Sequence, residues 1–145
     1  MTRETPSGAS QPDFQIVEHM ADWSIRVRAG DFGQLLATAA FGMSSLLVND
    51  PALLPLDEER HIEVRAFDRE SILVEWLSEL AYLAERDSIV FRDFEMHVAT
   101  PTQVSATVRG ARASQMHKHI KAVTYHNLEV KETAAGLEAE IVFDV

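Results

Sequence analysis

Cysteine is absent from all 145 residues of this chain, which removes a disulfide framework, thiolate zinc sites and a thiol nucleophile together. The absence fits a reducing cytoplasm, and it leaves oxygen and imidazole as the groups able to hold a metal. No long apolar run occurs, so neither a membrane-spanning segment nor the core of a signal peptide is expected. Basic residues are few. Thirteen Lys and Arg stand against 23 Asp and Glu, a formal net charge of -10, and this argues against tight, direct binding of nucleic acid. Also missing are a glycine-rich phosphate loop, a G-x-S-x-G elbow, an H-E-x-x-H pair and a D-x-D-x-D-G calcium loop.

What is present points to one domain. Hydrophobic residues make up 46% of the chain, enough for a single core at this length. The first thirteen residues, MTRETPSGASQPD, are polar and rich in Ser, Thr, Pro and Gly, and read as a disordered tail ahead of a domain spanning 14–145. FQIVE (14–18) and WSIRVRAG (23–30) alternate as strands around a turn-like HMAD that brings His19 close to Asp22. Asp31 caps a helix with apolar residues at Phe32, Leu35, Leu36, Ala39, Ala40, Met43, Leu46 and Leu47, and Asn49, Asp50 and Pro51 end it. After the alternating HIEVRAF (61–67), Asp68 caps a second helix through Ile72, Leu73, Trp76, Leu77, Leu80, Leu83 and Ala84. From Ser88 onward four strand-like segments follow, with turns at Pro101 and Gly136. The order predicts an α+β domain: an antiparallel or mixed sheet structure with two packed amphipathic helices.

One stretch is unusually polar for a strand. HKHIKAVTYH (117–126) carries three histidines and two lysines. On a regular strand, Ile120, Ala122, Thr124, His126, Leu128 and Val130 share a face that reads as the core side, with His126 a polar intruder. His119, Lys121, Val123, Tyr125 and Asn127 then project the other way. His117-x-His119 reads either as two imidazoles aimed at one ligand or as a solvated pair, and the solvated pair is the simpler reading.

EHMAD (18–22), ESILVEWLSELAYL (70–83), KAVTYHNLEV (121–130) and FDV (143–145) follow one another in an order and spacing that resembles the archease family. The resemblance covers nearly everything after the tail. Two departures stand out: Met20 replaces the family's usual Thr, and GARAS (110–114) replaces a more acidic Gly-Glu segment. The resemblance implies a cytoplasmic protein that is not itself an enzyme. It would activate the RtcB-type RNA-splicing ligase, which joins RNA ends with GTP and manganese, by promoting guanylylation of the ligase and its repeated turnover. It further implies a divalent cation (calcium, or magnesium or manganese) held by Asp22, Asp144 and an oxygen of Val145, with Lys121, His19 and His126 serving activation. An acidic accessory protein suits a basic ligase better than RNA. Two other classes stay open: a stand-alone metal-dependent hydrolase built on Asp22, Asp144 and a histidine, and a metal-free chaperone or interaction module.

Overall fold

Two periodicities in the sequence build two kinds of element, and their apolar faces meet in one core. The structure, a computed structural model, describes residues 12–18 and 22–145. Strands β1 (Phe14–Glu18) and β2 (Asp22–Ala29) precede helix α1 (Phe32–Leu47) and a short 3-10 turn at Pro51–Leu53. Then come β3 (Glu58–Arg65), helix α2 (Arg69–Asp87), β4 (Ile89–Ala99), β5 (Gln103–Arg112), β6 (Ala122–Thr124), β7 (Lys131–Thr133) and β8 (Gly136–Asp144). The strands form two sheets, β1-β2-β8-β6 with β7 also on β8, and β3-β5-β4. Every pairing is antiparallel. No helix among the described residues is long and apolar enough to cross a membrane.

Local chemistry sets the helix starts. Asp31 Oδ1 accepts the Gln34 N–H at 2.8 Å, and Asp68 forms a capping box with Ser71. The ends of α2 and α1 differ: Ser88 closes α2 in the left-handed conformation at φ 58°, whereas α1 runs out into extended chain. Trp76, fully buried on α2, donates its indole N–H to the Leu36 carbonyl of α1 at 2.9 Å and meets Phe94 of β4 edge-on. Ser44 of α1 donates to the Phe91 carbonyl at 2.7 Å. These bonds let polar atoms enter the core without the penalty of an unpaired donor. Gly110 is demanded by packing, since a Cβ there would come within 2.0 Å of the Val90 carbonyl oxygen. Gly136 makes the β7–β8 turn at φ 136°.

The expected tail falls mostly outside the described residues, which omit 1–11. Asp13 belongs with the domain. Its carbonyl accepts the Arg28 N–H at 3.0 Å, and its carboxylate lies 3.6 Å from the Arg28 guanidinium.

The long strand expected across 119–131 is corrected. Only Ala122–Thr124 is strand before Lys131 opens β7, and its parity is the reverse of the one predicted: Val123 is buried and Ala122 exposed. The segment then leaves the sheet because three local features compete with the ladder. Leu128 N–H donates to the Tyr125 carbonyl at 3.0 Å, Asn127 adopts φ 52°, and the Val130 N–H is taken by the Glu70 carboxylate of α2 at 2.8 Å. Ile120 and Val130 are buried as predicted, but His126 is exposed, not on the core face.

Candidate functional site

The candidate site lies where β2, β8 and β6 run side by side. Asp22 of β2 is the register partner of Asp144 of β8, and Ala122 of β6 partners Asp144 from the other side. Directly opposed residues of an antiparallel ladder share a face, with Cα atoms about 4.5–5.5 Å apart. The two carboxylates therefore stand together on the outer face. One step along, Trp23, Phe143 and Val123 form the next row, with Phe143 and Val123 buried in the core. That inner row fixes the outer one: strand alternation leaves Asp22 and Asp144 no other side to occupy. Asp144 is exposed and Asp22 part-buried, and among the described residues neither carboxylate has a hydrogen-bond or ion-pair partner. Val145 packs partly against the core and so anchors the residue after Asp144 at this edge.

The other residues named from the sequence divide. Lys121 donates its backbone N–H to the Asp144 carbonyl at 2.7 Å, which ties it to the pair. Its side chain lines a different recess, a cleft of about 400 Å³ against α2 that it shares with Tyr82, Glu85 and His119. His126 lines the same groove as Asp22, a space of about 700 Å³ over the outer face of β2 and β8. Its ring Nε2 is 3.3 Å from the Asn127 side-chain nitrogen. His19 lies outside the described residues, so its expected approach to Asp22 does too. His119 Nδ1 pairs with Glu85 at 3.0 Å, and Lys118 Nζ sits 4.0 Å above the Trp23 ring. The crowded HKHIK segment thus fastens a connecting loop to α2 and to the start of β2. Tyr125 stays a neutral phenol well into the alkaline range, because burial and then Glu75 and Asp68 push its pKa up.

The donor set at the edge suits a hard cation. Two carboxylates with a backbone oxygen of Val145 would offer the all-oxygen ligation that calcium, magnesium and manganese take. Among the described residues no three His, Asp or Glu side chains cluster as a metal site on their own. A cation at the pair would therefore need that Val145 oxygen, water or a partner to complete its shell.

A second polar cluster was not anticipated from the sequence. On the outer face of the second sheet, Arg109 of β5 reaches Glu59, Asp93 and Glu95, each at 3.0 Å. Bonds to Asp93, Glu95 and Glu59 hold its pKa above the ordinary arginine value. His61 and His97 flank the same face. The alternation in EERHIEVR and RDFEMH carried that signal, because the polar residues of two strands fall on one side.

A model of the Archease protein family matches residues 14–145. The chain belongs to the archease family. Archeases of Methanosarcina barkeri and Methanopyrus kandleri support this. The first is 31% identical over 140 residues, covering 91% of this chain and 95% of that protein. The second is 33% identical over 137 residues, covering 89% and 96%. The solution structure of Methanobacterium thermoautotrophicum protein 1598 superposes with a TM-score of 0.76 at 23% identity, covering 93% of this chain and 100% of that one. The crystal structure of an archease, a possible chaperone, from Thermotoga maritima gives 0.62 at 21% identity, covering 89% and 94%. These two show the shared archease fold. Of the two departures from the family pattern, Met20 lies outside the described residues. GARAS closes β5 in the second sheet, so it does not enter the Asp22–Asp144 edge of the first.

Proposed function

We propose that this archease is a protein activator of the RtcB-type RNA-splicing ligase, and that Asp22 and Asp144 are the groups through which it acts. The observation that carries this reading is the direct cross-strand pairing of two carboxylates without a cation beside them among the described residues. Like charges placed directly opposite each other destabilise a sheet. A pair retained in that position needs a ligand or a partner to offset the repulsion. A divalent cation held by Asp22, Asp144 and an oxygen of Val145 would supply positive charge for phosphate-bearing groups at the ligase. The chain's own residues do the rest: the β2–β8 ladder presents the carboxylates, the Lys121 amide fixes the Asp144 backbone, and His126 and Asn127 border the groove that leads to Asp22. Lys121, as a flexible point charge on the neighbouring cleft, reaches for a carboxylate of the partner. The net charge of -10 favours encounter with a basic ligase surface over RNA.

The test compares single-turnover with multiple-turnover ligation by the partner ligase. Asp22→Ala and Asp144→Ala each abolish rescue of repeated turnover while circular dichroism and the thermal transition stay near those of the unsubstituted chain. Asp144→Asn keeps the size and one oxygen, so loss of rescue there assigns the effect to charge. Stimulation at the full rate by both alanine variants overturns the proposal. Phosphatase or nuclease turnover by the purified chain alone would replace it with a hydrolase.

A further inference from the structure

The outer face of the second sheet holds a constellation that the ligase-activator reading does not use. His61 lies on β3 and His97 on β4, with β5 between them, and their rings lean over that central strand to centroids 6.3 Å apart. Both Nε2 atoms face it: His61 Nε2 lies 3.5 Å from Ser105 Oγ, and His97 Nε2 lies 2.8 Å from Thr107 Oγ1. Glu63 Oε2 is 3.3 Å from His61 Nε2. The geometry points to a site for a borderline transition-metal cation of the zinc class, ligated by the Nε2 atoms of His61 and His97 with the Glu63 carboxylate and water.

Three features support it. The first is reach. A zinc-class ion binds each imidazole nitrogen at about 2.0–2.1 Å, and with the half-width of both rings added, the bridged centroids lie up to roughly 6 Å apart. The observed 6.3 Å lies just outside that span, and rotations of the two exposed rings close it. The second is orientation. Glu95 Oε2 lies 4.0 Å from His97 Nδ1, while Glu95 Oε1 is held by Arg109 at 3.0 Å. At 4.0 Å this is not yet a hydrogen bond, but it places a carboxylate already held by Arg109 on the Nδ1 side of the ring, the arrangement that leaves the opposite nitrogen to a metal. The third is the backbone. The β4–β5 register slips between Met96 and Val98, so His97 is the extra residue of a bulge, a device that re-aims a side chain.

No three His, Asp or Glu side chains among the described residues are already gathered at ligand distance. The site is therefore two imidazoles with a third ligand brought in by a rotamer change. Glu63, 65% exposed, has the freedom to make it. Imidazole ligation also separates this site from the Asp22–Asp144 edge, whose oxygen donors suit harder ions.

The experiment titrates zinc, and cobalt(II) as a spectroscopic probe, into the full chain. The expected result is one equivalent bound in the micromolar range, with a visible cobalt spectrum indicating nitrogen ligation. His61→Ala and His97→Ala each weaken binding at least about tenfold and the double variant removes it, while Glu95→Gln weakens it by about tenfold through looser positioning of His97. Asp22→Ala/Asp144→Ala and His117→Ala/His119→Ala leave this equivalent intact. The groups substituted at the site are on the surface, so an unchanged thermal transition verifies folding. Unchanged zinc affinity in His61→Ala/His97→Ala, loss of the equivalent in His117→Ala/His119→Ala, or no micromolar binding by the unsubstituted chain overturns the proposal.

Discussion

Glu59, Asp93 and Glu95 on the second sheet surround Arg109, whereas Asp22 and Asp144 on the first sheet face each other without a basic side chain between them among the described residues. Both groups stand on solvent-facing sides of antiparallel sheets, yet the carboxylates of one share a fixed guanidinium and those of the other have none. A planar guanidinium with five donors serves three carboxylates at once, which makes the first cluster a lasting cross-strand tie between β3, β5 and β4. The second cluster gains nothing from its own proximity. Charge satisfied within the fold serves stability; charge left unsatisfied at a rigid edge is available to something that arrives from outside.

The largest effect sets the scale for what both clusters depend on. Trp76→Ala removes the side chain that joins α2 to α1 beneath the second sheet, and should cost about 3–5 kcal/mol, read as a shift in the denaturant midpoint. Next comes a pair of opposite outcomes. Arg109→Ala should lower the thermal midpoint while each folded molecule still stimulates the ligase; Asp22→Ala should abolish stimulation and leave the midpoint in place. If Arg109→Ala removed stimulation without loss of stability, the contrast between the clusters would collapse. A smaller effect is expected in acid. The Ser71 backbone N–H, and then its side chain, hold the Asp68 carboxyl below its ordinary value of 3.8. The unfolded chain then takes up that proton first, so the cap's contribution is complete above about 3.8 and is lost as pH falls through the lower folded value. Asp68→Asn should flatten the acid limb of the stability profile. The smallest effect expected is none: removal of residues 1–12 should leave the midpoint and ligase stimulation unchanged, because that segment has little apolar surface to bury.

Both helices and most strands are legible in the sequence because their signals are local. Asp31 and Asp68 mark the starts, and buried residues recur at helical spacing through Met43 and Leu80. The segment Lys121–Val130 misleads because its alternation of apolar and polar letters mimics a strand. What decides its path is a Glu70 side chain sixty positions upstream of Val130, the left-handed turn at Asn127 and the His119–Glu85 pair. The carboxylate pair is invisible to spacing, since Asp22 and Asp144 meet only through strand register. Resemblance to a family named them, and the ladder explains why they are neighbours. Arg109 escapes notice because a single arginine on a strand has no signature until three strands are set side by side.

The β2–β8 ladder also has a bearing on how the molecule comes together. Its partners, Asp22 with Asp144 through Ala29 with Leu137, are separated in sequence by both helices and the whole second sheet. The β3–β5–β4 sheet and α2 lie within one continuous stretch, so they can close with short loops. The central pairing of the other sheet must wait for the largest loop, whose closure costs the most entropy and is slow to find. A partly folded chain can thus have both helices and three paired strands yet no juxtaposed carboxylates. Recovery of ligase stimulation during refolding should lag behind recovery of helical signal, which makes the activity a reporter of the last step of assembly.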